Sequence, residues 1–131
     1  MEILTGILCD QIRQEDNGKY ILIGVYSGGV MVSAFPATFA LAMMLQMRLL
    51  AGSNQPFKVR ISIGGDVQGF IEGTVEQVGE LSPANWIPIN LPPLTFRNPG
   101  DLTAEVELPD GTWKQCFSIP VQAPQMPAPA S

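Results

Sequence analysis

Histidine is absent from this 131-residue chain. The lack removes the imidazole of any catalytic triad, the usual general base near neutral pH and the commonest transition-metal ligand. Cysteine is nearly absent as well. Cys9 and Cys116 stand far apart, form no Cys-x-x-Cys motif and cannot furnish a zinc site by themselves. Two thiols without a disulfide framework suit a reducing compartment, although neighbouring terminal strands would allow a Cys9–Cys116 bond. No Gly-x-Ser-x-Gly elbow occurs. Gly64-Gly65-Asp66 and Ser27-Gly28-Gly29 lack the Lys-Ser/Thr and helix start of a phosphate loop.

Charge is also scarce, at 15% of residues, and cations are the rarer sign. Arg13, Lys19, Arg48, Lys58 and Arg60 lie in residues 1–65, and only Arg97 and Lys114 follow. Eight of the twelve acidic residues fall in 66–131, so the two halves carry +1 and −6. Nothing gathers to neutralise a run of phosphates, which argues against nucleic acid as a partner. The same scatter argues against an anionic membrane surface. The opening, MEILTGILCDQIRQ, has no basic region ahead of its apolar residues and meets Asp10 early, unlike a secretory signal. The longest apolar stretch, 35–50, is broken by Pro36, Gln46 and Arg48 and is too short to span a bilayer. A cytoplasmic location is the expectation.

What is present is apolar and punctuated. Hydrophobic residues make up 46%, too many for a disordered chain, and 13 Gly with 12 Pro predict short elements joined by turns. Residues 3–12 read as a strand, Asn17-Gly18 as a hairpin turn, and 19–26 as the return strand. That return strand, KYILIGVY, is apolar on both faces, which predicts a central place in its sheet. Residues 30–34 read as a short strand.

Residues 35–50 hold good helix formers, yet a strand would put Phe39, Leu41, Met43, Leu45, Met47 and Leu49 on one face. The strand is favoured and a helix stays open. A long hairpin across 51–56 would pair it with 57–63, where Phe57, Val59, Ile61 and Ile63 alternate with polar residues. A weaker strand is expected at 70–78, with Ile71 and Val75 on one face, and a loop at 81–85. Residues 86–91 read as an edge strand because of Pro88. Leu102, Ala104, Val106 and Leu108 alternate before a Pro109-Asp110-Gly111 turn. The return strand runs 112–121, with Trp113, Phe117 and Ile119 in phase as core residues. Eight or nine strands at this rhythm predict an all-β, antiparallel two-sheet β-sandwich of about eight strands. The domain is expected at 1–121, with a Pro/Ala-rich tail at 122–131.

Cys9-Asp10 through Gly18-Lys19 to Leu22-Ile23-Gly24-Val25-Tyr26 resembles the opening of a bacterial family of uncharacterised small proteins. Phe35-Pro36, Gly100, Asp110-Gly111 and Phe117 fit the same pattern, and the resemblance covers most of 3–121. It rests on turn and core residues. It implies an immunoglobulin-like sandwich, supports a strand at 39–49 and assigns no activity.

The candidate sites are few. Asp10, Arg13 and Glu15, with Lys19 across the hairpin, could form a tuned carboxylate pair, but a register-fixing salt bridge is the better reading. Asp66, Glu72, Glu76 and Glu80 could offer oxygens to Ca²⁺ but lack regular ligand spacing, and Glu105 and Glu107 read as a solvated face. Met43, Met44 and Met47 could form an adaptable apolar surface if they are not core. Trp86, out of phase with Ile87 and Ile89, is the better-exposed tryptophan. Beside Asn85 and Asn90 it could stack on a sugar. The sequence thus points to a non-enzymatic structural or protein-interaction module of unknown process, with a protein partner or self-association. A carbohydrate- or small-ligand-binding module is the alternative. No cofactor is expected.

Overall fold

A computed structural model describes residues 2–48, 55–75 and 85–124. Several sequence expectations lie outside these residues: Leu49, the loop at 51–54, the strand beyond Val75, the carboxylates Glu76 and Glu80, the loop at 81–84 and the tail from 125.

All described elements are strands. They are β1 (Glu2–Gln14), β2 (Tyr20–Val25), β3 (Val30–Met31), β4 (Ala37–Phe39), β5 (Ala42–Arg48) and β6 (Gln55–Ile63). Then come β7 (Asp66–Val75), β8 (Asn85–Asn90), β9 (Leu94–Phe96), β10 (Gly100–Glu107) and β11 (Trp113–Gln122). They form a four-stranded sheet ordered β2-β1-β5-β8, a five-stranded sheet ordered β3-β11-β10-β6-β7 and a small β4-β9 pair. All pairings are antiparallel except β3 with β11. No helix among the described residues is long and apolar enough to cross a membrane.

The two larger sheets share one core. Ile3, Leu8, Met43, Leu45, Met47 and Ile89 enter it from the first sheet, and Val59, Ile61, Leu102, Val106, Phe117 and Val121 from the second. The alternation in 41–47 therefore acts as a strand period, and residues 37–48 contain no helix. The sheets meet where β1 runs beside β11. A Cβ built on Gly6 would lie 2.8 Å from Cys116 Cβ, so only a residue without a side chain fits there.

Three expectations are overturned. The first is the hairpin over 39–63. β5 pairs with β1 and β8, while β6 pairs with β7 and β10 in the other sheet. The reason is burial on both faces of β5: Met43 and Leu45 are buried toward the core, and Ala42 and Met44 are buried on the opposite side. Such a strand takes neighbours along both edges, and β1 and β8 supply them.

The second is the central place given to β2. Among the described residues it pairs only with β1 and ends its sheet. None of its side chains joins the core cluster.

The third is the core position of Trp113. Phe117 faces Ala104, but Gln115 faces Glu105 and Trp113 faces Glu107, so Cys116 is an extra residue opposite the Ala104–Glu105 step. One extra residue inverts the side-chain phase. Phe117 and Val121 stay inside, and Trp113 turns to the outer face. β9 is an element that the Pro92-Pro93 break concealed.

Candidate interaction surface

The first hairpin projects from the core. Its turn closes with the Glu15 amide donating to the Lys19 carbonyl at 2.7 Å and the Gly18 amide donating to Glu15 at 3.0 Å. The Lys19 amide donates to Asn17 Oδ1 at 3.1 Å. The strands pair Gln14 with Tyr20, Arg13 with Ile21, Ile12 with Leu22 and Gln11 with Ile23. Ile21 and Ile23 are each 41% exposed and Val25 is 51% exposed, with Tyr20 open as well. Ile12 and Leu22, on the other face, are half-buried yet also lie outside the core cluster. The hairpin thus carries apolar side chains on both faces that the chain's own core does not use.

Its base is clamped. Gly24 has φ +70°, and a side chain there would collide with the Asp10 carboxylate that lies over it. The Tyr26 hydroxyl donates to Asp10 Oδ1. Burial, then this hydrogen bond, pushes the Tyr26 phenol up to about 12. The carboxylate proposed as part of a tuned pair is therefore a structural acceptor. Among the described residues the ion pairs are Glu2–Arg48, Lys58–Glu72 and Arg60–Glu105, so the expected salt bridge across the hairpin is replaced by backbone turn bonds.

The sequence-predicted surface residues separate. Met43 and Met47 are fully buried in the shared core, and Met44 is buried on the opposite face of β5. The methionines therefore offer no free surface in the single chain. Trp86 is 43% exposed, on β8 opposite Gln46. Pro88 lies on that strand, which ends its sheet as expected. Cys9 and Cys116 are free thiols; Cys9 is buried, and burial pushes the Cys116 thiol up to about 11. The described residues bring no group of three or more Cys, Asp or Glu together as metal ligands.

A second exposed feature lies on the outer face of β6, β7, β10 and β11. Arg60 Nε and Nη2 donate to Glu105 Oε1 at 3.2 and 3.0 Å, and the guanidinium lies 4.2 Å over the Trp113 ring. Glu105 is accordingly a half-buried ion-pair partner rather than a purely solvated charge. Phe70 lies 6.2 Å from Trp113, and Lys58 lies 4.6 Å over Phe70. These groups satisfy one another. A cleft of about 610 Å³ beside them is lined by Phe57, Lys58, Glu72 and Glu107. Lys58 and Glu72 already face each other across 3.7 Å.

The hairpin was legible in the sequence, but its exposure was not. The missed signal was that Gln11, Arg13 and Gln14, which face β2, are polar. An apolar strand beside a polar neighbour has no core of its own to enter.

A family model described as a family of unknown function, DUF6941, matches residues 4–122. No curated protein matches the chain, and no solved structure does.

Proposed function

The chain belongs to the family of unknown function DUF6941, and from that premise we propose that it is a non-enzymatic protein-interaction module working through its first hairpin. The observation that carries this reading is the set of exposed apolar side chains on β2, which sit at a sheet end and contribute nothing to the core. Apolar groups left in water gain free energy when a partner covers them, and a free strand edge offers hydrogen bonds in a fixed direction.

An immunoglobulin-like sandwich is the architecture we assign. Its support is the strand order. β5 and β8 pair in one sheet, β6, β10 and β11 pair in the other, and the chain crosses between sheets from β5 to β6. This follows the B–E and C–F–G arrangement of that fold. On this correspondence β2 is an addition beyond the first strand.

Affinity capture from native lysate tests the function, comparing the natural chain with an Ile21→Lys/Ile23→Lys variant. The expected result is a defined set of proteins retained by the first and lost by the second. Identical sets refute the role of the hairpin. A carbohydrate- or small-ligand-binding reading rests on the exposed Trp86 ring. A change in tryptophan fluorescence on titration with glycans, abolished by Trp86→Ala, would favour it instead.

A further inference from the structure

We propose that β2 pairs antiparallel with β2 of a second copy of this chain, joining two four-stranded sheets into one across a two-fold axis. The inference rests on the reading of the hairpin as an interaction surface and names its occupant.

The backbone geometry comes first. The Glu15 amide donates to the Lys19 carbonyl at the turn, which marks the hydrogen-bonded phase of the ladder for pairs such as these two residues. In an antiparallel ladder such pairs recur at every second residue. Ile21 and Ile23 therefore direct their amides and carbonyls to β1, and Tyr20 and Leu22 direct theirs away from it. Two copies meeting along this edge exchange about four N–H···O=C bonds through Tyr20 and Leu22 alone.

The other sheet ends discourage pairing. β8 contains Pro88, β3 has two residues, and β7 carries Asp66 and Glu72. Proline, shortness and charge are the devices that protect sheet edges. From Tyr20 to Tyr26 there is no charge and no proline. Among the described residues, β2 is the unprotected end of a larger sheet.

Charge sets the orientation of a second copy and leaves its approach along β2 open. The protein carries −5 overall, concentrated in residues 66–131. Two copies meeting through the uncharged β2 keep these acidic halves out of the contact. Lys19 precedes one end of β2, and Asp10 lies over Gly24 at the other. Antiparallel pairing brings each copy's Lys19 toward the other's Asp10 end, twice by symmetry, whereas parallel pairing would set Lys19 against Lys19. An isologous contact of this kind closes and stops at two copies. Six residues span roughly 20 Å, so the contact lies near the lower size limit for a stable complex, about 1,000 Å² in total. A reversible, concentration-dependent dimer follows.

Sedimentation velocity on the purified full chain, from roughly 1 to 500 μM, tests it. The expected result is a monomer–dimer equilibrium that Ile23→Lys weakens at least tenfold and Val67→Lys, at an exposed site on β7, leaves unchanged. Amide hydrogen exchange on the natural chain provides a readout independent of any variant: Tyr20 and Leu22 should gain protection at high concentration and lose it on dilution. A monomer throughout overturns the self-pairing, as does a dimer indifferent to Ile23→Lys or one that leaves these amides unprotected. Because this experiment contains only the chain, a monomer leaves the interaction reading to be judged separately by the lysate comparison.

Discussion

Replacing Gly6 with alanine sets a local gain against a tertiary clash. Glycine in a strand is ordinarily a weakness, and alanine at an unobstructed position stabilises by about 0.4–1 kcal/mol through the unfolded state. At Gly6 the added Cβ would lie 2.8 Å from Cys116 Cβ. Carbon atoms in contact prefer about 3.5–4.0 Å. The obstructing atom is bonded directly to the β11 backbone, so no rotamer change clears it. Separating the two strands against the packed core costs about 1–3 kcal/mol, and the net loss is about 1–2 kcal/mol after the local gain is subtracted. Urea unfolding followed by tryptophan fluorescence should show a lower midpoint with an unchanged slope. The thermal midpoint should fall by about 4–8 °C. Cys116→Gly removes the obstructing Cβ, so Gly6→Ala should cost less in that background. The double-mutant cycle should return a coupling of about 1 kcal/mol. A stabilising Gly6→Ala, or a coupling within about 0.3 kcal/mol of zero, would refute the reasoning.

Two titrations probe other tertiary contacts. The Tyr26 phenol, held up to about 12 against an ordinary 10, binds its proton more tightly in the folded chain. Its contribution to stability should be complete below pH 10 and fall as pH rises from 10 to 12, and Tyr26→Phe should flatten that part of a stability–pH curve. A profile unchanged by the substitution would count against the Asp10 clamp. The Cys116 thiol, pushed up to about 11 from 9.0 by burial, should alkylate at pH 8 about a hundredfold more slowly than an unfolded cysteine. Mass spectrometry of the alkylated peptide checks this, and equal rates in native and urea-unfolded protein would contradict the packing of the β1–β11 seam.

The core was readable wherever a strand kept one unbroken phase and one polar face. Residues 57–63 and 102–106 alternate cleanly, and Phe57, Val59, Ile61, Leu102, Ala104 and Val106 are all buried. Reading failed where the phase or the neighbour changed. Trp113 follows the same alternation as Phe117, but the extra residue at Cys116 turns it outward, and no local pattern marks that insertion. β2 and β5 are both apolar on two faces, yet among the described residues β5 lies between two strands and β2 beside one. The candidate site fared likewise: Met43 and Met47 went into the core, Met44 was buried on the opposite face of β5, and the exposed apolar surface arose on a strand read as central.

By itself the sequence determined the strand periods, the turns at Asn17-Gly18, Gly64-Gly65 and Asp110-Gly111, and the lack of histidine-based chemistry. These depend on side-chain type and on neighbours within a few residues. The tertiary structure alone decided which strand ends its sheet, which face of a doubly apolar strand is covered, and why Gly6 admits no side chain. Those outcomes depend on atoms distant along the chain, such as Cys116 against Gly6, whose approach is set by the closure of two sheets on one core.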